Sequence, residues 1–321
     1  MYRKETVLNK LRVVYFIQSH TNLNQVSRLI STIRQYAPRS IIVIGHDVRA
    51  EKFDHGIVAG MPDVHVLENY FSQFRGDFSL LKPYLKAINW LQEQGIRYDW
   101  ITYLSGQHYP TQSPATFETF LSETEYDGFL SHWSMSSPAG QAEVGRMVKR
   151  YHYQYYRMPA KLTLFYRFLF KLADKLDSDK VQTFPTYGNL IGFKASEIPF
   201  TDKFECYRGH QWTTLSAKSV NYLLEFMDEN PDVVRFFEKT VVPDEAFVQT
   251  ILANNPALSL CNNNLLYHDF QDDFSGRPRV MTMNDIDILR NKDYFFARKF
   301  DTHTDSQILD ALDSDFIKQS V

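Results

Sequence analysis

Cysteine is nearly missing: Cys206 and Cys261 are the only two in 321 residues. That excludes a disulfide framework and leaves buried free thiols as the expectation, with a single bridge as the alternative. No run of about 18 apolar residues occurs, so nothing in the sequence is built to span a bilayer. Met1-Tyr-Arg-Lys-Glu-Thr6 carries no signal-like apolar core, and a cytoplasmic placement is expected. Charge of one sign is missing as well. A net charge of −3 without a long basic block gives no case for nucleic acid. The histidines lack zinc-like spacing, so no metal site is expected from them. Neither an internal repeat nor a linker divides the chain, and one continuous domain over 1–321 is the expectation.

What the chain does hold is apolar and aromatic bulk, 44% and 15% of residues, enough to bury a sizeable core. Its first half alternates apolar β-branched runs (11–18, 40–44, 64–67, 100–104) with helical spacing at 23–36 and 78–94. Such alternation predicts an α/β fold, with a mainly parallel, Rossmann-like central sheet and helices on both faces. Further strands are expected at 127–133 and 188–194, with short ones near 258–267. Helices are expected near 216–228, 231–239 and 243–253. Residues 134–187 read as irregular and Tyr-rich around one helical segment. In parallel sheets ligands sit beyond the carboxyl ends of strands, where Ser105-Gly106-Gln107 falls.

Val242-Pro-Asp-Glu-Ala-Phe-Val-Gln-Thr-Ile251 reads as a helix start with proline at its first position and two carboxylates in its first turn. Phe247, Val248, Ile251 and Leu252 would anchor it, so Asp244 and Glu245 would project from a rigid mount. Plain helix-start chemistry is the bland reading, and a cleft-facing carboxylate is the functional one. Three further segments accompany it: Tyr103-Leu-Ser-Gly-Gln-His-Tyr-Pro110, Arg208-Gly-His-Gln-Trp-Thr-Thr-Leu-Ser216 and Tyr294-Phe-Phe-Ala-Arg-Lys-Phe-Asp301.

In this order, and together with Val13-Val-Tyr-Phe-Ile-Gln-Ser-His-Thr-Asn22, the segments resemble the Core-2/I-branching glycosyltransferases. That family includes β1,6-N-acetylglucosaminyltransferases and peptide xylosyltransferases, and the likeness runs from about residue 11 to 301. The resemblance implies a GT-A-like fold with a nucleotide-sugar half at about 11–133, an acceptor and catalytic half at about 134–301, and a tail at 302–321. It implies inverting, metal-independent transfer from a UDP-sugar to a glycan hydroxyl, N-acetylglucosamine being the favoured donor sugar and xylose the second. Glu245 takes the family's catalytic base position, with Asp244 as its neighbour on the acceptor side. Lys299 and either Arg277 or Arg279 would hold the diphosphate, as two fixed cations can. His20, Ser105, Gly106 and Gln107 would line the donor, glycine allowing close backbone approach. Arg146 in Arg146-Met-Val-Lys-Arg-Tyr-His152 would touch the acceptor sugar. Trp212 would be a stacking platform or a core tryptophan.

The chain departs from the family with His108 where an Asp is usual, which bears on how sugar hydroxyls are read. Its Asp-x-Asp patterns, Asp177-Ser-Asp179, Asp285-Ile-Asp287 and Asp313-Ser-Asp315, do not follow a strand and are expected to be solvated surface. Animal members of the family carry an anchor and several disulfides, so the sequence fits a bacterial-type, soluble member. A glycan or lipid-linked oligosaccharide is the expected acceptor. The basic, aromatic segment 161–172 is expected either to touch the inner face of a membrane or to pack on the core with snorkelling ends. The rival from another class is a non-catalytic carbohydrate-binding protein on a degenerate transferase scaffold.

Overall fold

Every side chain of the first strand but one is buried, as a central strand of a parallel sheet requires. This strand, β1 (Val13–Ser19), is followed by α1 (Leu23–Tyr36), β2 (Ile41–Asp47), β3 (Val64–Asn69), α2 (Lys82–Glu93), β4 (Trp100–Ser105), β5 (His108–Pro110) and α3 (Pro114–Glu123). Next come β6 (Gly128–Phe129), β7 (His132–Ser134), α4 (Val144–Tyr151), β8 (Tyr153–Arg157), β9 (Val181–Phe184), β10 (Leu190–Lys194), β11 (Tyr207–Gly209) and β12 (Thr214–Ser216). The chain continues through α5 (Ala217–Glu229), α6 (Pro231–Phe237), α7 (Phe247–Ala253), β13 (Leu260–Cys261), β14 (Leu266–His268), α8 (Ile286–Leu289), β15 (Phe296–Arg298) and α9 (Gln307–Gln319). This computed structural model describes residues 11–138, 141, 144–162, 165, 180–270, 277–291 and 293–319.

The main sheet has seven strands in the order β13-β6-β12-β4-β1-β2-β3. Pairs β4–β1, β1–β2 and β2–β3 are parallel, and β12 runs against both its neighbours. The expected α/β architecture with a mainly parallel sheet is therefore the one observed. Strand order reverses at β1, between β2 and β4, and the ends of these strands at Ser19 and Ser105 are where such sheets place their ligands. Helix α1 covers one face with Val26, Leu29, Ile30 and Ile33 fully buried, each contributing roughly 1.5–3 kcal/mol. Its first turn is capped by Asn22, whose side chain accepts from the Gln25 amide at 3.3 Å.

Three smaller sheets build the second half, β8-β10-β9, β11-β7 and β14-β15-β5. The last of these sets the site. Its register places His268 beside Arg298 and Arg298 beside His108, in one row across three strands.

Several sequence expectations are corrected. The helix expected over 78–94 breaks into a 3-10 turn at Phe78–Leu80, capped by Asp77, and α2, which has Pro83 in its first turn. The expected tail 302–321 contains α9, whose Ile308, Leu309, Leu312 and Phe316 are at most 1% exposed. Nor are the Asp-x-Asp residues all solvated surface. Asp285 is buried against Arg279, Asp313 holds Arg28 and Tyr109, and Asp315 holds Arg290. Asp177 and Asp179 lie outside the described residues, as does most of 161–172, where Leu162 and Phe165 are exposed. Both cysteines are free thiols, Cys206 buried and Cys261 partly so. Among the described residues no helix is long and apolar enough to cross a membrane.

Candidate active site

The two carboxylates do not begin an α-helix. Val242 adopts a left-handed conformation (φ 58°, ψ 48°), Pro243–Glu245 form a 3-10 turn, and α7 starts only at Phe247. A left-handed valine is uncommon and needs outside support. That support comes from the Val242 amide donating to the Gly76 carbonyl at 2.9 Å and from its carbonyl accepting the Tyr151 hydroxyl at 3.0 Å. Below the turn, Phe247, Val248, Ile251 and Leu252 are buried, and the Gln249 amide donates to the His210 carbonyl at 2.6 Å. The rigid mount expected from the sequence exists; its geometry is a turn.

Asp244 and Glu245 diverge. Asp244 is 8% exposed, and its Oδ1 is buried with no hydrogen-bond partner among the described residues. Burial, and then the negative charge of Glu245, push the Asp244 carboxyl up to about 7. Glu245 has a 27% exposed side chain, and its Oε2 accepts from Arg150 Nη1 at 3.1 Å and Arg208 Nη2 at 3.2 Å. Arg150 comes from the last turn of α4 and Arg208 from β11, whose partner strand puts Trp133 under the Arg208 guanidinium at 5.5 Å. In β11 the position after Arg208 has to be glycine. A Cβ on Gly209 would fall 1.6 Å from the Ser131 carbonyl oxygen.

On the other side of the site, Arg298 lies over Trp212, with its guanidinium carbon 4.4 Å from the ring centroid. A desolvated stack of this kind is worth about 2 kcal/mol. Burial lowers the arginine to about 10, so it stays charged at neutral pH. Its Nε is buried without a partner, and among the described residues no carboxylate pairs with it or with Lys299. Trp212 is 8% exposed, wedged by His108 at 4.5 Å and Tyr103 at 5.1 Å between ring centroids. One face of its indole is taken by the Arg298 guanidinium.

His108 is fully buried, and its Nδ1 accepts from the Ser105 amide at 2.9 Å and lies 2.8 Å from the Ser105 hydroxyl. It serves Ser105 as a carboxylate oxygen would. Burial, then the Arg298 charge, hold it well below the ordinary histidine range, so the ring is neutral. His268 is pushed down to about 4, chiefly by burial. His108 is thus tied to the loop through Ser105.

The Ser105-Gly106-Gln107 loop meets the basic segment directly, the Phe300 amide donating to the Gln107 carbonyl at 2.9 Å. Gly106 is needed for close approach, but to the protein itself. A Cβ there would lie 2.7 Å from Val26 Cγ2. His20 is exposed at the end of β1. Tyr103 and His210 bridge the two sides, since each feels both Arg298 and a carboxylate, Asp244 for Tyr103 and Glu245 for His210.

Arg279 lies beside Lys299, whose amide donates to the Arg279 carbonyl at 3.5 Å. Arg279 is saturated by Asp269 at 2.7 Å and by a two-pronged bond to Asp285, so it closes a loop. Arg277 is exposed, as is Arg146, one turn before Arg150 on α4. Sequence reasoning thus passed over Arg150, Arg208 and Arg298, although each lies inside a segment it singled out. Strand alternation was the available signal for Arg298, which shares its face of β15 with buried Phe296. Among the described residues no three His, Cys, Asp or Glu side chains are grouped to hold a metal ion.

The chain is 24% identical to xylosyltransferase 2 of Rattus norvegicus over 328 residues and to that of Homo sapiens over 326. Each match covers 94% of this chain and 33% of the relative, so the chain spans about a third of the curated relatives' length. Among solved structures, S. aureus TarS 1-349 in complex with UDP-GlcNAc matches with a TM-score of 0.28 and 11% identity, over 37% of this chain and 34% of that one. The 4-diphosphocytidyl-2C-methyl-D-erythritol synthase of Anaerococcus prevotii matches with a TM-score of 0.37 and 6% identity, over 89% and 97%. The family model described as Core-2/I-Branching enzyme matches residues 13–294, a span that holds the whole seven-stranded sheet and the Glu245 turn, and the chain belongs to that family.

Proposed function

We propose that the chain is an inverting, metal-independent glycosyltransferase that moves a sugar from a UDP-sugar to a hydroxyl of a glycan acceptor. The observation that carries this reading is the separation of charge across the site. Arg298 and Lys299, free of carboxylate partners among the described residues, stand on one side, and the carboxylate of Glu245 on a fixed turn stands on the other. The acceptor hydroxyl gives its proton to Glu245, and its oxygen attacks the anomeric carbon. The bond from that carbon to the β-phosphate oxygen breaks, and its electron pair leaves with UDP, whose charge the two cations offset. Single displacement by one base inverts the anomeric centre, while a retaining scheme would need a second ionised carboxylate about 5 Å away. N-acetylglucosamine is the favoured donor sugar; xylose is the second, supported by the likeness to the xylosyltransferases.

The test is calorimetric titration with UDP, UDP-N-acetylglucosamine and UDP-xylose in EDTA, followed by turnover of whichever binds. Metal-free binding of one UDP-sugar, with Glu245→Gln keeping binding and losing transfer, is the expected result. Binding that requires manganese would refute the cation mechanism, and unchanged turnover in Glu245→Gln would refute the base. Glycan binding without any turnover would favour the non-catalytic reading.

A further inference from the structure

We propose that Arg150 is a positioning residue for the base: it fixes Glu245 through Oε2, so that Oε1 is the oxygen presented to the acceptor hydroxyl. The inference rests on the reading of Glu245 as the base. Helix α4 grips the catalytic turn three times with two consecutive residues. The Arg150 carbonyl accepts from the Val241 amide at 3.3 Å, Arg150 Nη1 donates to Glu245 Oε2 at 3.1 Å, and the Tyr151 hydroxyl donates to the Val242 carbonyl at 3.0 Å. Backbone and carboxylate of the turn are therefore referred to the same helix end.

The Arg150 side chain is 9% exposed and that of Arg208 11%, against 27% for Glu245. The arginines thus approach from the protein side, and the carboxylate closes the way to them from the open side. A guanidinium so placed orients a carboxylate better than it recruits a sugar. Both bonds also converge on one oxygen. A carboxylate held by one oxygen in two charge-assisted bonds has its second oxygen fixed in space, which is what proton abstraction in a near-attack geometry needs. Charged and titratable groups facing Glu245 come from every neighbouring element: Arg150 and Tyr151 from α4, Arg208 from β11, His210 from the segment after it, and Asp244 from the turn itself. Among them Arg150 is a buried cation in direct contact that also carries a backbone tie to the turn.

The experiment uses the full chain and measures UDP release from UDP-N-acetylglucosamine and from UDP-xylose between pH 5 and 9, with water as the acceptor. For Arg150→Met the expected result is a kcat lower by about tenfold or more with a donor KM unchanged within about twofold. Arg150→Lys keeps the charge but not the geometry, so its kcat remains reduced while its donor KM stays near that of the wild type. If Arg150→Met does not fold, Arg150→Lys decides alone, and a wild-type kcat in that variant overturns the proposal. A wild-type kcat in Arg150→Met overturns it too. So does a loss confined to KM, which would make Arg150 a substrate contact. No turnover by the wild-type chain, or turnover that Glu245→Gln keeps, overturns the base and this proposal together. Turnover lost in Glu245→Gln but untouched in Arg150→Met overturns this proposal alone.

Discussion

Replacing Asp244 by asparagine removes an ionisable group from a buried position while keeping its shape, and the sign of the effect depends on pH. In the folded chain burial and the neighbouring Glu245 raise the carboxyl from its ordinary 3.8 to about 7. Below about pH 4 both folded and unfolded chains carry the proton, and ionisation contributes nothing to the difference. Between about pH 4 and 7 the unfolded chain ionises while the folded one holds its proton, so the wild type loses stability as pH rises. Above about 7 both are ionised and the loss levels off. At about 1.4 kcal/mol per pH unit, this sets a ceiling of roughly 4 kcal/mol on the loss, and water entering the turn would reduce it. The Asp244→Asn variant carries no such slope. Its amide adds a donor in a place where Oδ1 has no partner among the described residues. That costs about 1–3 kcal/mol at every pH and shifts the variant's curve without tilting it. Urea unfolding of both proteins at about pH 4.5, 6, 7.5 and 9 reads the tilt directly. The stability of the Asp244→Asn variant relative to the wild type should rise between the first three points and then stay flat. Parallel curves would refute the assignment. The charges of Arg150 and Arg75 oppose the rise at Asp244, and a wild type that gains on the variant with rising pH would show that they outweigh burial.

Two further outcomes follow from named contacts. Arg298→Gln should weaken metal-free UDP binding about 10- to 100-fold, the worth of one charge-assisted bond, by calorimetry; undiminished affinity would leave Lys299 as the diphosphate ligand without it. Phe316→Ala should cost about 3–5 kcal/mol in urea unfolding, because the ring is fully buried and packs edge-on against Tyr36 at 5.7 Å. A loss below about 1 kcal/mol would mean that α9 is a dispensable tail.

The sheet was legible because its signal is local. Helix α1 falls on the residues its spacing marked, 23–36, and the ends of β1, β2, β3 and β4 lie within three residues of the apolar runs. Elements missed were ones whose signal was present but short. Helix α3 opens with Ser113 accepting from the Thr116 amide at 3.2 Å and with Pro114 at its start, a cap and proline pair readable in sequence. The strand expected at 127–133 divides into β6 and β7, which belong to different sheets. At Val242 the expected helix begins late because tertiary bonds from Gly76 and Tyr151 hold a left-handed residue that no local propensity favours.

The site divides in the same way, and the division explains why one kind of residue was found and another was not. Glu245 and Lys299 stand in runs whose neighbours are distinctive, so their positions could be read. Their partners are fixed by distance in space: Arg150 is 95 residues from Glu245, and Arg208 is 37. Nothing in a linear pattern tells a paired arginine from an unpaired one. That distinction separates Arg279 from Arg298. Arg279 looked available for a diphosphate, yet Asp269 and Asp285 neutralise it, whereas Arg298 looked like half of a surface pair and sits on Trp212 with no carboxylate beside it among the described residues. A cation already neutralised by two carboxylates can offer little to an incoming anion, while a half-buried cation held by an aromatic face keeps its charge and gains by meeting one. Which arginine the fold leaves without a counter-charge among the described residues is a property of the three-strand row His268, Arg298, His108, which appears only once β14, β15 and β5 are in register.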